Sequence, residues 1–266
     1  MPFPRLALRF VALAYLGALL AAPVAMVFWR TFEHGFGDAW AAVTTPAAKH
    51  AFLLTIVIAL IAVPANTVFG VVCAIAIVRH RFRGKDLVNA LVDLPLALSP
   101  IVVGLAFLLL YGRGGWLAGL PFDVVFALPG MVLATIFVSL PFVVREVVPV
   151  LREIGTEQEQ AASTLGAGWW ATFRRVTLPS IRWAVAYGVV LTTARSLGEF
   201  GAVSVVSGRI VGKTETMTLH VEERFQSFDY VGAYAASVVL ALLAIATLVA
   251  MSVFKPREGV SNGDRG

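Results

Sequence analysis

Charged residues are scarce in this sequence: they take 14% of its 266 positions, against about 25% in an ordinary water-soluble domain. Hydrophobic residues take 59%, and the mean hydropathy is +0.84, which excludes a soluble enzyme and implies an integral membrane protein. Cysteine is almost missing. The one present, Cys73, lies in an apolar run, so an internal disulfide is excluded and a cysteine metal cluster with it. Histidine is sparse too: His34, His50, His80 and His220 are scattered without metal-ligand spacing, and solvated or interfacial roles are expected for them, with no metal bound. Ser196 has no histidine near it, so no nucleophile constellation is visible and a hydrolase is not indicated.

A complete phosphate-binding loop is also lacking. Ser207 to Thr214 reads SGRIVGKT, one residue short of G-x-x-x-x-G-K-[ST], because Gly208 and Gly212 enclose only three residues. A polar turn leaving a membrane helix is the simpler reading. The net charge of +5 does not point to nucleic acid either, since the basic residues stand at the ends of apolar runs, where they report orientation in a membrane.

What the chain has in abundance is apolar length. A helix crossing ~30 Å of hydrocarbon needs ~20 mostly apolar residues. Six stretches meet that need: Phe10 to Trp29, Ala51 to Val78, Leu94 to Leu110, Val124 to Val144, Trp183 to Val206 and Val231 to Phe254. The first is too long for a secretory signal and reads as an uncleaved span. With the N-terminus placed in the cytoplasm, fourteen Lys and Arg fall on inner segments and six on outer ones, while Arg195 remains inside a span. Both termini are therefore expected in the cytoplasm, with residues 255–266 as a short tail and Ser207 to Thr214 on the outer face, where ATP is not supplied. The expected fold is all-α, a single polytopic transmembrane domain over 1–266.

Residues 149–182 form a long polar segment between the fourth and fifth spans, on the expected cytoplasmic side. Thr156 to Glu159 has the T-x-x-E form of a capping box, in which Glu159 would reach back to the start of a short helix whose first turn also holds Glu157. Ala161, Ala162 and Leu165 then share a small-residue face, and Gly166 permits a sharp turn. Trp169, Trp170, Phe173 and Val176 repeat as an amphipathic stripe for the membrane interface or the protein's own spans, and Pro179 suits the start of the next helix. Periodicity alone leaves two readings open: an interfacial helix pair that holds the bundle, or a docking element.

The spelling of this segment is more specific. Gln160-Ala161-Ala162, three residues, Gly166, nine residues, Val176, one residue and Leu178-Pro179 resemble the E-A-A-x3-G-x9-I-x-L-P loop of bacterial ABC importer permeases, with Gln160 in place of the usual Glu. Asn66 to Gly70, Asp93 to Pro100 and Arg195 to Ala202 resemble the sulfate and molybdate branch of that family. Gly212 to Thr216 with Leu219 to Glu222 is most similar to its CysW-type sulfate/thiosulfate subunits. The resemblance implies a six-span, type I importer permease in a bacterial cytoplasmic (inner) membrane, surrounded by lipid. It implies three kinds of partner: a dimer of ABC ATPase subunits that use ATP and Mg, a second and different sulfate permease, and an external sulfate-binding protein. It also implies that residues 149–182 couple to the ATPase, and that this chain binds no cofactor and has no ATPase site of its own. A molybdate or tungstate permease is the nearest alternative, and an ion-coupled secondary transporter the alternative from another class.

Arg195 and Glu199 are the physical anomaly. Counted from Trp183 at ~1.5 Å per residue, Arg195 lies ~18 Å along its helix, near mid-membrane, where an unpaired charge costs at least ~2.5 kcal/mol. Four residues apart, the two share a helix face. They either neutralise one another, bridge to a partner subunit, or present Arg195 to a passing anion whose oxygens suit a guanidinium fork. Ser196, Gly198 and Gly201 belong to the same candidate path or gate, the glycines allowing close approach or a bend. Asp93, ahead of Pro95, is expected to cap the third span or, less simply, to face a cytoplasmic cavity. Glu222 and Glu223 form an outer charged pair, solvated or facing an external binding protein.

Overall fold

The structure is a computed structural model that describes residues 3–33, 35–119 and 121–254. His34 and the tail at 255–266 lie outside them. Every regular element among the described residues is helical. In chain order these are α1 (Phe3–Leu16), a wide π turn, α2 (Ala22–Phe32), α3 (Phe36–Val43), α4 (Pro46–Arg79), α5 (Lys85–Ala97), α6 (Pro100–Tyr111), α7 (Leu128–Ser139) and α8 (Pro141–Glu153). The chain continues through α9 (Glu157–Thr164), α10 (Trp169–Thr172), a second π turn (Phe173–Thr177), α11 (Leu178–Leu197), α12 (Gly201–Val206), α13 (Met217–Gln226) and α14 (Tyr230–Phe254).

Among the described residues, four helical stretches are long and apolar enough to cross a membrane: Leu8–Phe32, Pro46–Arg79, Leu128–Glu153 and Tyr230–Thr247. The expected third span is broken. α5 and α6 meet at 109°, so they form a fifth crossing only if the bent pair is one span. The cause is local. Ser99 is extended (φ −63°, ψ 133°) because a residue before proline avoids the helical region, and Pro100 then opens a new helix where its missing N–H costs nothing. The expected fifth span is divided too, with α11 ending at Leu197 and α12 starting at Gly201. Arg195 and Glu199 also dilute its hydropathy. The count of six spans is thus not reached by length and hydropathy, although every expected span is represented by helix.

The chain gathers into two compact units, Met1–Thr55 with Ile210–Leu242, and Ile56–Arg209 with Leu243–Gly266. The loop at 149–182 belongs wholly to the second. In the first unit, Ala51, Met217 and Ala236 form a small core with Phe52 and Leu240 against it. Thr55 Oγ1 accepts the Met217 N–H at 2.8 Å, satisfying an orphan amide at the start of α13. The first long helix leaves its apolar side chains outward, with Leu8, Phe10, Leu13 and Trp29 each at least 71% exposed, as lipid contact requires.

In the second unit the main core joins α4, α5, α8 and α11 through Ile77, Val92, Val143, Val147, Leu151 and Ile181. Lipid tails are as apolar as these side chains, so fit rather than exclusion from water must hold the helices together. Val143 shows how. A Cβ on Gly70 of α4 would lie 2.7 Å from Val143 Cβ, and one on Gly188 of α11 would lie 2.9 Å from Val143 Cα. Two glycines therefore clasp one valine, and three helices touch at backbone distance.

Candidate functional site

The loop at 149–182 is built from short, mostly exposed pieces. α8 ends at Glu153, Gly155 turns the chain with φ +63°, and α9 follows with Glu157, Gln160 and Ala161 exposed, and Glu159 and Ala162 half-buried. Gly166, at φ +85°, adopts a conformation that a side chain would strain, and α10 begins three residues later. Beside this turn Leu165 is 89% exposed, an apolar side chain presented outward with nothing of its own chain over it. Trp169 and Trp170 are also exposed. Trp169 stacks on Phe173 at a centroid distance of 6.1 Å, Trp170 lies tilted against it at 5.6 Å, and Phe173 packs on the main core of the second unit. Val176 is half-buried, Leu178 starts α11, and Pro179 occupies its first turn as expected.

The capping box does not form. Thr156 makes no side-chain cap; Gln160 Nε2 instead donates to Thr156 Oγ1 at 3.1 Å. Glu159 is engaged elsewhere. Its Oε2 lies 2.9 Å from Arg79 Nε, and its Oε1 accepts the Thr177 hydroxyl at 2.8 Å. Arg79, the last residue of α4, spends its other nitrogens on backbone: NH1 donates to the Leu151 carbonyl at 2.9 Å and NH2 to the Gly155 carbonyl at 2.6 Å. One guanidinium thus joins the end of a membrane helix to the end of α8, the turn after it, α9, and through Glu159 the second π turn. A planar fork of fixed donors is the side chain suited to this task. Sequence reasoning missed Arg79, reading it only as a topogenic charge, because nothing in local spacing links it to Glu159.

Arg195 and Glu199 are paired, as their spacing suggests. Arg195 NH1 lies 2.6 Å from Glu199 Oε2; Glu199 is buried, and Arg195 keeps 30% of its side chain exposed. Glu199 Oε1 also accepts the Ala202 N–H at 2.8 Å, capping α12 just after the break at Gly198. Gly201 permits a close approach there, since a Cβ on it would meet Pro100 Cβ at 2.7 Å. Ser196 points the other way. Its hydroxyl lies 3.4 Å from Ser139 Oγ, which accepts from Asn66 Nδ2 at 2.8 Å and donates to the Thr135 carbonyl. This buried polar seam between α4, α7 and α11 satisfies groups that lipid could not.

Asp93 is not a cap. It lies inside α5 and pairs in two-pronged fashion with Arg145 of α8, whose Nε donates to Oδ1 at 2.6 Å and whose NH2 faces Oδ2. Glu222 and Glu223 are half-buried rather than exposed, and Glu223 lies 3.2 Å from Arg224 Nε. His220 is buried beside Glu215. His50 Nε2 lies 3.1 Å from the Lys213 carbonyl, within the segment that resembles a phosphate loop. That segment follows a helix rather than a strand, and its Gly-Lys-Thr is not the start of α13.

The chain matches the family model described as binding-protein-dependent transport system inner membrane component over residues 66–259. It is 49% identical over 96% of its length to the sulfate transport system permease protein CysW of Synechococcus elongatus, covering 90% of that protein. It is 48% identical to CysW of Escherichia coli K12 (90% of this chain, 84% of that one) and 37% identical to the sulfate permease CysT of the same strain (93% and 91%). Its fold matches the crystal structure of a bacterial ABC transporter involved in import of the acidic polysaccharide alginate, with a TM-score of 0.79 at 16% identity, covering 95% of each chain. The crystal structure of a bacterial alginate ABC transporter in complex with an alginate pentasaccharide-bound periplasmic protein gives 0.77 at 17%, covering 95% of this chain and 93% of that one. The chain belongs to the binding-protein-dependent transport system inner membrane components, and is a permease subunit of an ABC importer.

Proposed function

We propose that this chain forms one half of the membrane pathway of an ATP-driven sulfate importer in a bacterial cytoplasmic membrane, with both termini and the loop at 149–182 in the cytoplasm. The likeness to CysW over nearly the whole chain supports sulfate as cargo, and the likeness to CysT supports a second, different permease as the other half. An external sulfate-binding protein delivers the anion, and thiosulfate is a second cargo of the same charge and shape. The permease carries no ATPase site; a pair of separate ATPase subunits hydrolyses ATP with Mg.

The observation that carries the coupling mechanism is the exposed α9 corner, Leu165 beside Gly166, held to α4 by Arg79. An exposed apolar side chain on a short helix suits a groove in another protein, and the small Ala161 and Ala162 let that surface come close. ATP closure of the ATPase pair moves the loop from Glu157 to Pro179. Arg79 and Glu159 pass that movement to α4, α8 and α11 without slack, and the helices switch the pathway from outward to inward. At mid-membrane, Arg195 offers its exposed edge to the anion while Glu199 holds part of its charge, so the ion is attracted without being trapped.

Uptake of labelled sulfate by proteoliposomes tests this, with ATPase, second permease and binding protein added singly and together. ATP-dependent sulfate uptake that needs both permeases is the expected result. Molybdate uptake with this chain as sole permease, or sulfate uptake without the ATPase, would overturn it.

A further inference from the structure

In the first unit, α13 places His220 and Glu223 three residues apart on one face, and Glu215 stands two residues before the helix begins. One donor atom from each of the three lies within 4.8 Å of the other two. Glu215 and His220 are each 2% exposed, and Glu223 is half-buried. His220 Nδ1 lies 3.2 Å from Glu215 Oε1, while Glu215 Oε2, on the same carboxylate, is buried without a hydrogen-bond partner among the described residues.

This leaves a problem of charge. A buried carboxylate needs a paired cation, hydrogen bonds to both oxygens, or a metal. Here two carboxylates and one imidazole converge, and Arg224 is a cation paired with one of the carboxylates. Its Nε lies 3.2 Å from Glu223 Oε2, but its NH1 also lies 3.5 Å from Asp229 Oδ2, so its charge is shared outside the cluster. The ion pair described for Glu215 is with His220 alone among the described residues.

We propose that Glu215, His220 and Glu223 bind a divalent transition-metal ion of the zinc type. The donor set decides the class. Magnesium and calcium take oxygen ligands, whereas one imidazole with two carboxylates and a fourth, open position is a zinc-like set. Bonds of ~2.0–2.1 Å in a tetrahedron put donors ~3.4 Å apart, a separation the Glu215–His220 pair already meets at 3.2 Å, so side-chain rotation has at most ~1.4 Å to close for Glu223. The ion ties the segment ahead of α13 to the helix itself, and so stiffens a stretch on the side proposed to face outward. It is a resident ion, separate from the transported anion, and its binding does not rest on the proposed cargo.

The test uses the full-length chain purified in detergent with whatever subunits copurify, stripped with EDTA and equilibrated with micromolar free Zn²⁺ over excess Mg²⁺. Metal analysis is expected to find one more zinc per permease chain than in the His220→Gln protein. Glu223→Gln, with the ligand at the half-buried edge changed, is expected to weaken zinc at least tenfold. Co²⁺ in place of zinc should give the visible absorption of a four-coordinate ion, lost in Glu215→Gln. Should the variants fail to assemble, the wild type decides: less than half an equivalent of zinc, with no cobalt spectrum and no rise in thermal midpoint on adding Zn²⁺, overturns the site. Sulfate uptake is scored separately. Zinc binding without sulfate uptake would count against the proposed cargo alone, and uptake without zinc binding against the metal alone.

Discussion

The second unit contains two Arg–Glu pairs of nearly equal length, Arg79–Glu159 at 2.9 Å and Arg195–Glu199 at 2.6 Å, that perform different work. Arg195 and Glu199 are four residues apart, and their pair is a product of helix geometry. It neutralises a buried carboxylate with a partly exposed guanidinium and lets the carboxylate cap the short helix that follows. Arg79 and Glu159 lie far apart in sequence, and no local geometry brings them together. Their pair exists only because α4 and the loop are folded against each other, so it can transmit displacement where the local pair can only hold charge. Ion pairs in membrane proteins are thus informative by sequence separation as well as by distance.

The comparison breaks most severely from inside. Glu199→Ala leaves Arg195 without its partner and Ala202 without its cap, and breaking a buried pair of this kind costs about 3–5 kcal/mol. A lower yield of folded protein and a lower thermal midpoint in detergent are expected, with uptake lost in proportion. Glu199→Gln keeps an acceptor for Ala202 and should recover part of the midpoint. The second break is mechanical. Arg79→Ala is expected to leave a folded subunit whose complex still hydrolyses ATP but imports sulfate at least tenfold more slowly, measured as ATP consumed per sulfate. If ATPase and uptake fall together, Arg79 supports the loop without coupling it. Smallest is Leu165→Asp at the exposed corner. It should move the thermal midpoint by no more than an exposed substitution does, within about 0.5 kcal/mol, yet weaken ATPase association about tenfold in a titration of copurifying subunit.

The two pairs also mark what a single sequence can disclose. Arg195–Glu199 was legible because helix periodicity is written in consecutive residues, and the loop's resemblance to the importer family was legible because its spelling covers twenty positions. The apolar runs gave helices in the right places for the same reason. Their breaks were harder to read. Proline is tolerated in membrane helices, so Pro64 sits inside an unbroken α4 while Pro100 opens a new helix at a 109° bend. The capping box failed because a tertiary partner, Arg79, outbid a local one for Glu159. Asp93 was misread for a similar reason, its partner Arg145 being 52 residues away. His220 is isolated from the other histidines in sequence, whereas its neighbours in the fold are the carboxylates Glu215 and Glu223.

Arg79 grips Leu151 and Gly155 through their carbonyl oxygens, and every amino acid has one. On that side, then, the joint is indifferent to mutation: position 151 need only stay apolar for the core, and position 155 need only tolerate its left-handed turn. The whole burden of preserving the joint falls on two side chains, Arg79 and Glu159. Homologous chains can drift widely around this junction while keeping the same mechanical connection, and a single change at either of those two positions removes what no change at the carbonyl positions would restore.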